Sequence, residues 1–470
     1  MKRTCSLWLA ASLAAALCAA SLGAATRPRY GGTLRIELQS ATASPMPATW
    51  RGNPAEERLA ALLYDRLVRF DDSGRPQPEL AISWQHDAAR RSWQFRLRAG
   101  VRFHDGTSLT PSPVVAALES VDARRRLSVF GDTLVIESAQ PMPNLLAELA
   151  SARGSIFRRS SAGQAVGTGP FRLDAWEPGR HARLVANDDY WAGRPFLDAV
   201  EISMGRPLRD QWVNFELGKA DLVELPPEEV RRAVQEGRRT WTSMPVELLA
   251  IVFTPGRAAA GEARLRAALS GSIDRDELQN VLLALQGEAA GALLPQWVSG
   301  YAFLFPAARE LAPARAHAAE LASALRRVSL VYDAADALAQ RVAERIAVNA
   351  REAGFTVQVI GAADPSRAAD ADARLVRLRI HAPDPFAAFT ELTEALPRSA
   401  TETPPVSPEQ LYAAERALLD SAGVIPVVRL PDCAALGARV RGWSAAPWGA
   451  WRLEEVWLAP EPAGRARGAR

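Results

Sequence analysis

The stretch from Arg326 to Ile360 constrains the fold more than any other part of the chain. "RRVSLVYD" (Arg326–Asp333) reads as a strand, rich in β-branched and aromatic residues. Leu338, Val342 and Ile346 then recur at helical spacing, and Gly354 ends that helix. "FTVQVI" (Phe355–Ile360) is a second strand. Strand, helix and strand in succession predict a parallel pair joined by a right-handed crossover.

Other segments fill in an α/β picture with mixed sheets and at least two lobes. "GGTLRIEL" (Gly31–Leu38) is extended, and "SWQFRLRAGVRF" alternates, with Trp93, Phe95 and Leu97 on one side. Leu59, Leu62, Leu63 and Leu67 share one face of a helix expected over Glu56–Leu67. Asp71, Asp72, Ser73 and Gly74, with two prolines following, are turn chemistry. Thr110 offers an N-cap with Pro111 behind it, and Val114, Val115, Leu118 and Val121 form that helix's stripe. Residues Pro397 to Pro408 read as a loop, and Ser407-Pro408-Glu409-Gln410 resembles a capping box opening a helix that runs to Gly423. The Pro/Gly/Arg-rich end, 461–470, is expected to be disordered.

The head of the chain has a separate meaning. Lys2 and Arg3 precede an apolar run, Ser6 to Leu22, closing on Gly23-Ala24-Ala25. That order describes a secretory signal peptide, 1–25, cleaved after Ala25. Lipid attachment at Cys18 fits less well, because bulky Leu17 precedes it. Of three cysteines, only Cys433 then remains, so no internal disulfide can form.

Composition and motifs exclude several function classes. At 470 residues, 48% hydrophobic, the chain has room for two or three domains. A net charge of +3 with no dense basic cluster argues against nucleic acid. "GTGPFR" (Gly167–Arg172) starts like a dinucleotide loop, but Arg172 stands at the third glycine and strand-like sequence follows. No G-x-S-x-G elbow occurs. None of the five histidines has a partner at metal spacing, so no metal or cofactor is implied, and His104-Asp105-Gly106 reads as a turn. Asp71-Asp72 and Asp188-Asp189 read as solvated turn carboxylates. Of thirteen tryptophans, Trp8 lies in the signal segment and Trp443, Trp448, Trp451 and Trp457 crowd near the C-terminus; most are core material, with some able to line a pocket.

The order of several motifs carries a resemblance. "LYDRLVRFDDSGRPQPELAISW" precedes "FRLRAGVRFHDGTSLTPSPVV", then "GTGPFRLDAWEPG" and "NDDYWAGRPFLDAVEI". "ELGKADLVELPPEEV", "RLRAALSGSIDRDEL" and "GVIPVVRL" with Gly442-Trp443 follow. The chain resembles the family-5 extracellular solute-binding proteins of ABC importers, the dipeptide-, oligopeptide- and nickel-binding receptors. The resemblance implies a two-lobed periplasmic-binding-protein clamp, type II-like, with two inter-lobe crossings. Lobe I would be 26–252 with a return over 424–460, and lobe II 253–423. It implies a non-enzymatic, periplasmic, monomeric receptor that captures a peptide-like or other small ligand in the cleft. Its partners would be a permease and a separate ATPase. The alternative within the same fold is a binding protein uncoupled from transport, such as a sensor partner or chaperone.

The resemblance also points to candidate ligand-binding residues. In peptide receptors of this family an aspartate near the end of one strand grips the ligand's α-ammonium. Here that place falls on His381, just before Asp384-Pro385. Strand alternation puts Arg377 and Arg379 on the same side. Thr254, in "IVFTPG", stands where the family often has asparagine. These residues predict a cleft for an anion or for a ligand without a free amine.

Overall fold

The computed structural model describes residues 27–50, 53–120, 125–364, 370–396, 405–421 and 423–460. The signal-like head 1–25, Val121, residues 397–404 of the predicted loop and the tail 461–470 lie outside them.

The first lobe shows how local sequence sets its elements. β1 (Thr33–Glu37) leads to helix α1 (Pro54–Leu63). Asn53 caps α1 by accepting from Glu56 N, and the Glu56 carboxylate accepts from Asn53 N in return. The helix stops at Leu63, short of the expected Leu67, because Tyr64 turns extended (φ −134, ψ 139). What presses on that end is "GTGPF". A Cβ on Gly167 would lie 1.9 Å from the Leu63 carbonyl oxygen, and one on Gly169 2.6 Å from its carbonyl carbon. The glycines thus let two backbones touch. Leu67 stays buried, outside the helix. β2 (Ala81–His86), β3 (Ser92–Leu97), β4 (Arg126–Phe130) and β5 (Thr133–Glu137) form a separate sheet in the order β2-β3-β5-β4. Pro111 opens α2 (Pro111–Glu119) as expected, although the Thr110 side chain makes no capping bond. α3 is Leu145–Ala150.

Most of the remaining strands belong to one eleven-stranded sheet, in which the short strand Glu288–Ala289 pairs with Val424–Leu436 off the main order. Its members are β6 (Phe171–Glu177), β7 (His181–Ala186), β8 (Ala199–Ser203), β9 (Leu222–Glu224), β10 (Arg239–Phe253), β11 (Arg327–Asp333), β12 (Thr356–Ala362), β13 (Ala373–Arg379) and β14 (Val424–Leu436). With β1 they run in the order β6-β7-β8-β1-β9-β14-β10-β13-β11-β12. β11 and β12 pair in parallel through α4 (Ala337–Glu352), and Gly354 (φ +94) follows that helix. α5 (Pro385–Glu394) follows β13, and α6 (Pro408–Asp420) is capped by Ser407, ending just before the expected Gly423.

β10 and β14 are fifteen and thirteen residues long and pair with each other. At about 3.3 Å per residue such strands are long enough to run through two lobes. Their ladder breaks midway, where Pro245 faces Pro431 and the register shifts on both sides. Neither proline has an N–H to give, and prolines inside a sheet belong at such breaks. The hydrophobic core changes at the same place. Leu34, Ile36, Phe95, Phe171, Leu222 and Leu436 belong to one cluster. Beyond Pro245, alternate residues of β10 enter two others: Leu249 and Ile251 pack with Leu330, Val342 and Val428, while Leu248 and Val252 pack with Leu378, Phe389 and Val424. Period-two alternation thus covers both faces of the second lobe's sheet.

Candidate functional site

β13 delivers its side chains as the sequence predicts. Leu378 and Ile380 are buried in the core beside Phe389, which leaves Arg377, Arg379 and His381 on the other side. Asp384 accepts from Ala387 N at 2.8 Å, and Pro385 starts α5. The chain therefore turns from strand into helix directly behind His381, and α5 brings Thr390 and Glu391 back to the same space.

These residues line a cavity of about 480 Å³. From the elements around the first hydrophobic cluster come Trp50, Glu57 of α1, and Leu127 and Ile136 of the small sheet. From β13 and α5, and the turn between them, come Arg377, Arg379, His381, Thr390 and Glu391. The walls combine an apolar side with convergent polar groups at a volume typical of small-ligand sites. Thr254 is not among them. It follows the far end of β10, its N–H bonded to the Asp372 carbonyl, and its hydroxyl oxygen is buried without a partner.

Each base on the β13 face meets carboxylates of the protein. Arg377 gives two bonds to Asp336, at 2.5 and 3.0 Å, and one to Glu247. Arg379 forks onto Asp432 at 2.8 and 2.5 Å. His381 faces Glu57 of α1 at 3.4 Å, and its backbone N–H donates to Glu391 at 3.0 Å. Burial opposes the Arg379 charge, but Asp432 outweighs it and raises the guanidinium's pKa. Burial likewise favours a neutral Asp432, yet Arg379 and Arg58 hold it well below the usual carboxylate range. Glu391 is pushed up by burial, with His381 only partly offsetting this. The expected anion-seeking face is thus modified. Its arginines are spent on internal partners, while Glu57 and Glu391 stand beside the imidazole.

Sequence reasoning missed Asp432, Glu57 and Glu391. Glu57 and Glu391 sit on helices with ordinary amphipathic patterns, and nothing local marks either. Asp432 has no local mark either, its neighbour Cys433 being a buried thiol packed near Leu225 and Val230. Among the described residues no group of three or more His, Cys, Asp or Glu is placed to hold a metal ion, and no helix is long and apolar enough to cross a membrane.

Comparison with known proteins gives a consistent result. The family described as "Bacterial extracellular solute-binding proteins, family 5 Middle" matches residues 75–395. The probable D,D-dipeptide-binding periplasmic protein DdpA of Escherichia coli (strain K12) is 24% identical over 270 residues, covering 51% of this chain and 52% of that protein. The chain thus matches about half the length of that curated relative. Among solved structures, DppA from Helicobacter pylori in complex with peptide STSA superposes with a TM-score of 0.79 at 17% identity, covering 92% of this chain and 99% of that one. The Escherichia coli murein tripeptide-binding protein MppA scores 0.76 at 18% identity, covering 91% and 98%. Its unliganded open form scores 0.66 at the same identity, covering 91% and 97%. At these identities the likeness is one of fold: a mixed α/β, two-lobed clamp, here nearer the first MppA arrangement than the open one.

Proposed function

The chain belongs to the bacterial extracellular solute-binding proteins, family 5, and from that premise we propose that it is the extracytoplasmic receptor of an ABC importer. It captures a small peptide-like solute between its lobes and hands it to a membrane permease served by a separate ATPase. The observation that carries this reading is the cavity of about 480 Å³ walled by residues of both lobes. A solute there touches both walls only when they meet, so binding favours closure. We take the lobes to divide at the proline-faced break in β10 and β14, rather than at 252/253 and 423/424.

His381 is the candidate contact to the solute, with Arg377 and Arg379 as clamped wall behind it. The charge arrangement revises the expected ligand. An ammonium near His381 finds Glu57 and Glu391, each able to accept a charge-assisted hydrogen bond. Repulsion from Arg379 is countered by Asp432. A free amino terminus is therefore acceptable, and a free anion gains little.

Two measurements test the reading. Mass spectrometry of protein exported and purified without denaturation should find a small solute at near-stoichiometric amount. Calorimetry with a free and an N-acetylated form of one short peptide should show the free form binding at least as tightly. No bound solute, together with no heat from any of a panel of short peptides, would overturn the receptor reading. Tighter binding of the acetylated form would show that Glu57 and Glu391 do not face the amine.

A further inference from the structure

Asp432 sits where both crossing strands change lobe. It follows Pro431, and its N–H donates to Ser243 Oγ at 2.9 Å in the facing strand. Its carboxylate holds two arginines. Arg58 of α1 donates from Nη2 at 2.9 Å, and Arg379 of β13 forks onto both oxygens. Arg58 is anchored in the first lobe, with Nη1 on the Gly449 carbonyl at 2.5 Å and its guanidinium 4.2 Å from the centre of the Trp451 ring. Arg379 is anchored in the second lobe, on a strand paired to β10 at Glu247. Gly449 (φ +96) leaves room for the knot, since a Cβ there would lie 2.8 Å from an Asp432 oxygen.

We propose that Asp432 is the latch of the clamp: one hinge carboxylate that ties Arg58 of the first lobe to Arg379 of the second only while the lobes are closed. This rests on the clamp reading above and adds its regulation. Asp432 lies between the stretch of β14 that pairs in the first lobe and the stretch that pairs in the second. On opening it can follow only one arginine. The other guanidinium then loses its carboxylate partner and regains it only on closure. The knot contributes to closure, and so to solute affinity, and Asp432 and Arg58 do so from behind the cavity wall. Two contacts across the same seam act with it, His381 with Glu57 and Arg341 with Glu228.

The test measures lobe separation by electron–electron resonance between spin labels at Phe130→Cys and Ala413→Cys in the exported protein. Both positions are exposed, whereas Cys433 is buried and takes no label. Wild type should show a resolvable closed population without added solute. Asp432→Asn and Arg379→Gln should each raise the open-to-closed ratio about tenfold or more, the scale of one charge-assisted fork. The double variant should open no further than Asp432→Asn alone, since both break one knot. Near-ultraviolet circular dichroism checks folding, and Arg379→Gln carries the test if Asp432→Asn does not fold. A hinge variant, Pro245→Gly with Pro431→Gly, serves as the control. If the control opens while Asp432→Asn and Arg379→Gln match wild type, or if wild type has no closed population, the latch is refuted and the clamp stands. If every protein, control included, shows one fixed distance, the clamp reading itself fails.

Discussion

Raising the pH from 6.5 to 8.5 should destabilise this protein, chiefly through Glu79. That carboxylate is half-buried and accepts a bond from Arg66 N at 3.1 Å. Burial, then the charge of Asp65, push it up to about 8, against a smaller pull from Arg66 and Arg69. A carboxylate whose folded pKa is raised contributes stability at low pH, and that contribution is lost as pH climbs through the folded value. For Glu79 the loss begins above its unfolded pKa, 4.5, and is complete just beyond 8. Below pH 6.5 two other groups titrate as well. Asp65, pushed up to about 6 by burial, loses stability there. His104, pushed down to about 4 by burial, stays neutral when folded and gains stability as the unfolded imidazole deprotonates. The two roughly cancel. Carboxylates held low, Asp71 and Asp432 among them, are ionised in both states above pH 5 and add no slope.

At about 1.4 kcal/mol per pH unit the fall between pH 6.5 and 8 is about 2 kcal/mol at most, and about 1–2 kcal/mol after allowing for water at a half-buried group. In a unit of this size each kcal/mol moves the melting temperature by about 2–4 °C. Glu224, Glu415 and Glu454, also raised by burial, act in the same direction. Scanning calorimetry across pH 5 to 8.5 should therefore show a fall that is shallowest near pH 6 to 6.5, where His104 still offsets Glu79, and steeper from there to pH 8. Glu79→Gln keeps the shape, cannot ionise, and should melt higher than wild type at pH 8.5. A flat profile above pH 6.5, or the same drop in Glu79→Gln, would refute the reasoning.

Gly167→Ala should cost about 2–4 kcal/mol, seen in chemical denaturation, since its Cβ would enter the Leu63 carbonyl and the backbone must move. Asp65→Ala strips the acceptor from Thr168, Tyr190 and Trp191 and should cost about 2–4 kcal/mol at pH 7, whereas Asp65→Asn should cost under about 1 kcal/mol, because the amide still accepts and the buried charge is gone. The Cys433 thiol, pushed up to about 12 by burial, should stay inert to a thiol reagent at pH 8 until the protein unfolds. N-terminal sequencing of exported protein should begin at Thr26, and an intact Met1 or a lipidated Cys18 would contradict the signal-peptide reading.

The local grammar was legible because it is local. The parallel β11–α4–β12 unit, the Pro111 and Pro385 helix starts and the alternation of β13 each depend on residues within a few positions of one another. Helix ends were less so, since α1 stops where Gly167 and Gly169 press on it from a hundred residues away. The long-range electrostatics were not legible at all. Arg377, Arg379 and His381 were correctly placed on one face, but whether they repel a cation depends on what faces them.

By its order of motifs and its hydrophobic periods, the sequence alone determined the α/β clamp, its family, and which residues of β13 look away from the core. The tertiary structure alone decided the character of the cavity. Asp432 reaches Arg379 across 53 residues and Arg58 across 374, and Glu57 meets His381 from α1. Side-chain periodicity is a property of neighbouring peptides and survives in any fold. The charge a ligand meets is a sum over groups within a few ångströms, and only the packed chain says which groups those are.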